Sequence, residues 1–114
     1  MSMALELAEK AQIRFFTLLE QGESRTAVIF TALQALVSTT GLAEGNHGNI
    51  VKGSAVLGTR HAAECEKIAE QISANAQKGD TVEDLYDIAS TFAKTLGCSL
   101  LTAAECRIRA TAVR

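Results

Sequence analysis

Proline is absent from all 114 residues of this chain. A proline in a helix interior costs about 3 kcal/mol through its missing N–H and its clash with the preceding turn. Without one, long helices meet no such obstacle. Four or five stretches carry apolar residues at helical spacing, punctuated by glycine and by Ser, Thr or Asp. The expected architecture is therefore all-α, a single-domain bundle of four to five helices over residues 1–114.

Folding at this length buries roughly two-thirds of the unfolded surface. With 47% hydrophobic residues against 21% charged, the chain lies outside the disordered regime, so a core of Leu, Ile, Val, Ala and four Phe is expected. Cys65, Cys98 and Cys106 are odd in number and lie in apolar helical contexts, which suits reduced thiols in a cytoplasmic protein better than a secreted disulfide framework. Glu6, Glu9, Lys10 and Arg14 interrupt the first twenty residues, where an export signal needs an apolar run. A net charge of -2 gives no general attraction for phosphate backbones or anionic lipid, so nucleic acid is a disfavoured partner.

The uncharged stretch from Thr26 to Ala43 raises the question of a membrane span. It contains Thr31, Gln34, Ser38, Thr39 and Thr40, whereas a span needs about 20 predominantly apolar residues. A helix buried on most sides of a bundle fits better, and no membrane contact is expected.

Along the chain, Ser2 can cap a first helix to about Gln21, with Leu5, Ala8, Ala11/Gln12, Phe15, Phe16 and Leu19 on its apolar face. Gly22 ends it. Ser24 is the expected cap of a second helix to about Thr40, whose Val28, Ile29, Ala32, Leu33, Ala35, Leu36 and Val37 leave little polar face and make it the expected centre of the fold. Gly41 to Gly53 is rich in glycine and reads as a loop or a frayed helix start. Ser54 can begin or continue a helix to Lys78 with Leu57, His61, Cys65, Ile68, Ile72 and Ala76 in its stripe. Asp80 or Thr81 caps the next, with Val82, Leu85, Ile88/Ala89, Phe92 and Leu96 on one face and Gly97 at its end. A last helix from Ser99 is expected to turn Leu100, Leu101, Ala104 and Ile108 inward.

Few residues suggest chemistry. His61, Cys65, Cys98 and Cys106 are the residue types of a tetrahedral zinc site, but a Cys-to-Cys separation of eight on a helix is not a zinc signature. Cys98 lies near a helix start, yet no partner base for a thiolate is identifiable. The Ala-Ala-Glu-Cys tetrapeptide at Ala62 recurs at Ala103 without extending into its flanks, so no duplication is read. Arg107, Arg109 and Arg114 cluster positive charge where it complements a helix dipole or docks an acidic partner. The loop around Lys52-Gly53-Ser54 has the wrong order for a phosphate-binding P-loop, and no cofactor motif is present.

Val51-Lys52-Gly53-Ser54-Ala55, then Leu57-Gly58, a long helix, Gly79-Asp80 and an amphipathic helix resemble the histidine-containing phosphotransfer domain, a helical bundle of bacterial phosphorelays. The resemblance implies a phosphoacceptor histidine three positions before the lysine, a lysine that offsets phosphate charge, and a glycine that leaves room for a receiver domain. Asn49 occupies the acceptor position, and the nearest histidine, His47, lies five residues before Lys52. The resemblance thus implies Asn49, Lys52, Gly53 and Arg60 as contact residues and His47 as the alternative phosphoacceptor.

The function expected from the sequence is a small, non-enzymatic, cytoplasmic binding or regulatory protein acting through a helical surface. Its partner is a protein, a second copy of the chain included. The alternative is a histidine phosphotransfer protein, or a degenerate mimic that binds a receiver domain.

Overall fold

The computed structural model describes residues 3–44 and 61–113. Five α-helices account for most of them: α1 Met3–Glu20, α2 Thr26–Glu44, α3 Ala62–Gln77, α4 Val82–Thr95 and α5 Ala103–Val113. No strand occurs among the described residues. The all-α bundle expected from the sequence is the fold.

The helix ends follow from local chemistry. Behind α3, the Asp80 N–H donates to the Asn75 carbonyl and the Gly79 N–H to that of Ala76, both at 3.1 Å, with Gly79 at a φ of 91°. Behind α4, Cys98 and Gly97 repeat the arrangement onto Ala93 and Lys94, with Gly97 at 83°. A residue with a Cβ is strained at such angles, which explains glycine at both stops. Thr81 caps α4, its hydroxyl accepting the Asp84 N–H at 3.1 Å.

Three boundaries differ from the expected ones. Arg25, not Ser24, occupies the capping position of α2, its carbonyl accepting the Ile29 N–H, while the Glu23 carboxylate takes the Arg25 N–H and guanidinium. That guanidinium holds the Glu23 carboxyl down at about 2. Helix α2 also runs through Gly41 to Glu44, since one glycine inside a helix costs only about 1 kcal/mol. The last helix starts after Thr102, not at Ser99. The Thr102 hydroxyl accepts the Glu105 N–H at 3.1 Å, and the Glu105 carboxylate accepts the Thr102 N–H at 2.8 Å. This reciprocal pair is a full capping box.

A five-residue turn folds α1 back on α2, and Gln12 Nε2 donates to Thr40 Oγ1 at 3.1 Å across the pair. Helix α1 packs against α2, α4 and α5, whereas α2 packs against α1 and α3. Helices α1 and α2 form the most extensive pair in the bundle, and α1 carries the contacts onward to α4 and α5 while α2 carries those to α3. Phe15 and Phe16 of α1 sit against Tyr86 of α4, with ring centroids 6.3 and 5.9 Å apart. Ile29, Leu33, Leu36 and Val37 of α2 and Cys65, Ala69 and Ile72 of α3 complete the core.

Helix α5 faces the other way from the sequence expectation. Cys106 and Ala110 are buried, Ala104 is exposed, and Ile108 is 69% exposed. The buried Cys106 thiol donates to Tyr86 Oη at 3.3 Å, and Arg107 lies 5.1 Å above the Phe16 ring. These two contacts set the rotation of α5. A short alanine-rich helix has little apolar periodicity of its own to oppose them.

Candidate functional site

The residues singled out by the phosphotransfer resemblance, His47, Asn49, Lys52, Gly53 and Arg60, lie outside the described residues. Of the metal candidates, His61 does not belong to the α3 stripe. It precedes the helix as its N-cap, with Nδ1 2.8 Å from the Glu64 carboxylate. Cys65, Cys98 and Cys106 are buried free thiols. Among the described residues no group of three or more His, Cys, Asp or Glu side chains is placed to hold a metal ion.

The perturbed titratable groups trace to packing and capping. Burial, then the neighbouring Glu64 charge, pushes the Cys65 thiol up to about 11, so the nucleophilic thiolate is scarce at neutral pH. Burial also raises Cys106, and burial with the Cys106 contact raises the Tyr86 phenol. Glu105 is lowered by its capping bonds to Thr102, and Glu83 by its own backbone N–H and by Arg107.

Of the C-terminal arginines, read from sequence as complementing the helix dipole or docking an acidic partner, Arg107 and Arg109 are engaged within the molecule. Arg107 pairs with Glu20 at 3.0 Å and with Glu83, and Arg109 stands 4.0 Å from Glu9. They tie α5 to α1 and α4. Arg114 lies outside the described residues.

A groove lies between α1 and α2 on the face away from the core. Its volume is about 680 Å³. Leu7, Lys10, Ala11, Arg14 and Leu18 form the α1 wall; Ala27, Val28, Thr31, Ala32, Ala35 and Thr39 form the α2 wall. These positions recur at steps of three and four, so each wall is a second helical stripe beside the one that faces the core. Leu7 is 44% exposed, and Ala27, Thr31 and Ala35 are exposed as well. Helix α2, expected to be buried on most sides, thus has Ala27, Thr31 and Ala35 exposed on its outer face, with Val28, Ala32 and Thr39 half-buried beside them.

The groove has a simple polarity. The Thr31 hydroxyl donates to the Ala27 carbonyl at 3.0 Å and the Thr39 hydroxyl to that of Ala35 at 2.8 Å, so both hydrogens are taken by the α2 backbone. Lys10 and Arg14 stand exposed on the α1 rim, and among the described residues no hydrogen bond or ion pair engages either. The side-chain donors facing an occupant are these two cations. Sequence reasoning used Lys10 and Arg14 only as charges that break an export signal. The available pointer was the second stripe, Leu7-Ala11-Leu18, flanking the core stripe of α1.

No family model, curated protein or solved structure matches this chain. No helix among the described residues is long and apolar enough to cross a membrane.

Proposed function

We propose that this chain is a small, non-enzymatic binding or regulatory protein that acts through protein–protein contacts, with the α1–α2 groove as its contact surface. The observation that carries the reading is the exposure of Ala27, Thr31 and Ala35 on the outer face of α2. A helix apolar on nearly all sides usually sits inside a bundle, yet here Ala27, Thr31 and Ala35 face outward beside Leu7. The side chains are small, which lets another backbone approach closely.

Two further observations support the reading. The shifted titratable groups answer to burial, caps and ion pairs rather than to a paired acid and base in a cleft. The three buried free thiols suit a reducing compartment such as the cytoplasm.

Selection from a displayed library of helical peptides tests it. Binders enriched on the wild-type protein are expected to lose binding to an Ala35→Trp variant, whose indole fills the groove from an exposed position. A library whose binders all tolerate Ala35→Trp would place the contact surface elsewhere and end this reading.

A further inference from the structure

We infer that the groove takes an amphipathic helix whose apolar stripe is bordered by carboxylates about one turn apart. The inference rests on the groove being a protein contact surface and adds the chemistry of the partner. Its first support is shape. The α2 wall runs from Ala27 to Thr39 and the α1 wall from Leu7 to Leu18, which at 1.5 Å per residue is roughly 16–18 Å, or three turns of a third helix. Exposed and half-buried residues alternate along both walls, an open trough that a helix laid lengthwise covers on both sides.

The second support is charge. The rim carries Lys10 and Arg14, four residues apart on α1 and therefore about 6 Å along its axis. The α2 wall carries no charged residue. Acidic side chains at i and i+4 of an incoming helix match that spacing and meet two cations with no partner among the described residues.

A second copy of this chain fits less well. Two grooves facing each other across a two-fold axis would stack Lys10 and Arg14 against their own copies, with no acid on either α2 wall. The exposed apolar stripe of α5, Ala104 and Ile108, is bordered by Arg107 and Arg109, which the two cations would repel, while the acidic faces of α3 (Glu66, Glu70) and α4 (Glu83, Asp84, Asp87) expose no large apolar side chain.

The test uses three labelled model helices of about 18 residues, long enough to be helical when alanine-rich. They share one leucine stripe and carry Glu, Gln or Lys at its borders. Fluorescence anisotropy at low salt should rank them Glu, then Gln, then Lys, with the Glu helix roughly three- to tenfold tighter than the Gln helix. That gap should close near 1 M salt, where the Debye length is about 3 Å. The double variant Lys10→Gln, Arg14→Gln should bind the Glu and Gln helices equally, and Ala35→Trp should bind none. Ala27→Trp replaces Ala35→Trp if circular dichroism shows that fold disturbed.

Equal binding of the Glu and Lys helices, or a Glu preference that survives the double variant, overturns the acidic-partner inference while leaving the groove reading intact. Binding that persists in both Trp variants, or no binding of any helix, overturns both. A concentration-dependent dimer in sedimentation equilibrium that Ala35→Trp abolishes makes a second copy the occupant and also overturns the inference.

Discussion

Gln12 accepts the backbone N–H of Leu101 through Oε1 at 2.8 Å, tying the first helix to the segment that leads into the last. Its Nε2 meanwhile donates to Thr40 Oγ1, and the Leu101 carbonyl accepts the Tyr86 hydroxyl at 2.8 Å. One buried amide thus joins α1, α2 and the α4–α5 connection. Gln12 is 4% and Thr40 2% exposed, so neither has water to fall back on.

Replacing Gln12 with Leu keeps most of the volume and strips the partners from the Leu101 N–H and the Thr40 hydroxyl. Unsatisfied buried groups cost about 1–3 kcal/mol each, so Gln12→Leu should lower stability by about 2–6 kcal/mol in urea denaturation. A loss below about 0.5 kcal/mol would show that water or a local shift satisfies both groups.

Tyr86 is the one tyrosine in the chain, so the near-ultraviolet tyrosinate band reports it alone. Burial and Cys106 raise its phenol, and in the unfolded chain it ionises near pH 10. Above that pH the unfolded state releases the proton first, so stability present below pH 10 is lost as pH rises. Tyrosinate absorbance should therefore appear together with loss of helix, and Tyr86→Phe should remove that contribution to the alkaline slope while costing about 1–2 kcal/mol at neutral pH. Tyrosinate forming in the folded protein near pH 10 would contradict the buried hydroxyl.

The two apolar stripes separate cleanly by truncation. Ile29 is 1% and Leu33 0% exposed, so each change to Ala should cost about 2–5 kcal/mol. Ile108, which sequence periodicity turned inward, should tolerate Ala within about 0.5 kcal/mol. Chemical denaturation of the three variants checks the rotation of α5: a large loss at Ile108 would mean that the helix packs by its other face.

The phosphotransfer resemblance has a chemical test that needs no geometry. Asn49 has no basic imidazole nitrogen to accept a phosphoryl group. Incubation with phosphorylated receiver domains should yield no acid-labile phosphate on this chain. Transfer that disappears in His47→Gln would make His47 a phosphoacceptor and replace the binding-protein reading with a phosphorelay one.

What the sequence determined by itself was the class of fold and the elements whose signals are local. The helix stops at Gly79 and Gly97, a cap at Asp80 or Thr81 that the structure places on Thr81, and the apolar face of α4 through Leu85, Ala89 and Phe92 are consequences of nearest neighbours and one strong period. The capping box of Thr102 and Glu105 was equally local and readable, but the nearer Ser99 drew the expected start forward. Tertiary structure alone decided which face of α5 turns in and which residues of α2 stay exposed. Helices rich in alanine and small apolar residues present nearly equivalent faces, so contacts distant in sequence choose between them: Cys106 with Tyr86, Arg107 with Phe16 and Glu20, and Gln12 with Leu101. The groove arises in the same way, because among the described residues α2 packs chiefly against α1 and α3 and leaves Ala27, Thr31 and Ala35 exposed. Periodicity shows that such a face is apolar; it carries no information about how many neighbours will cover it.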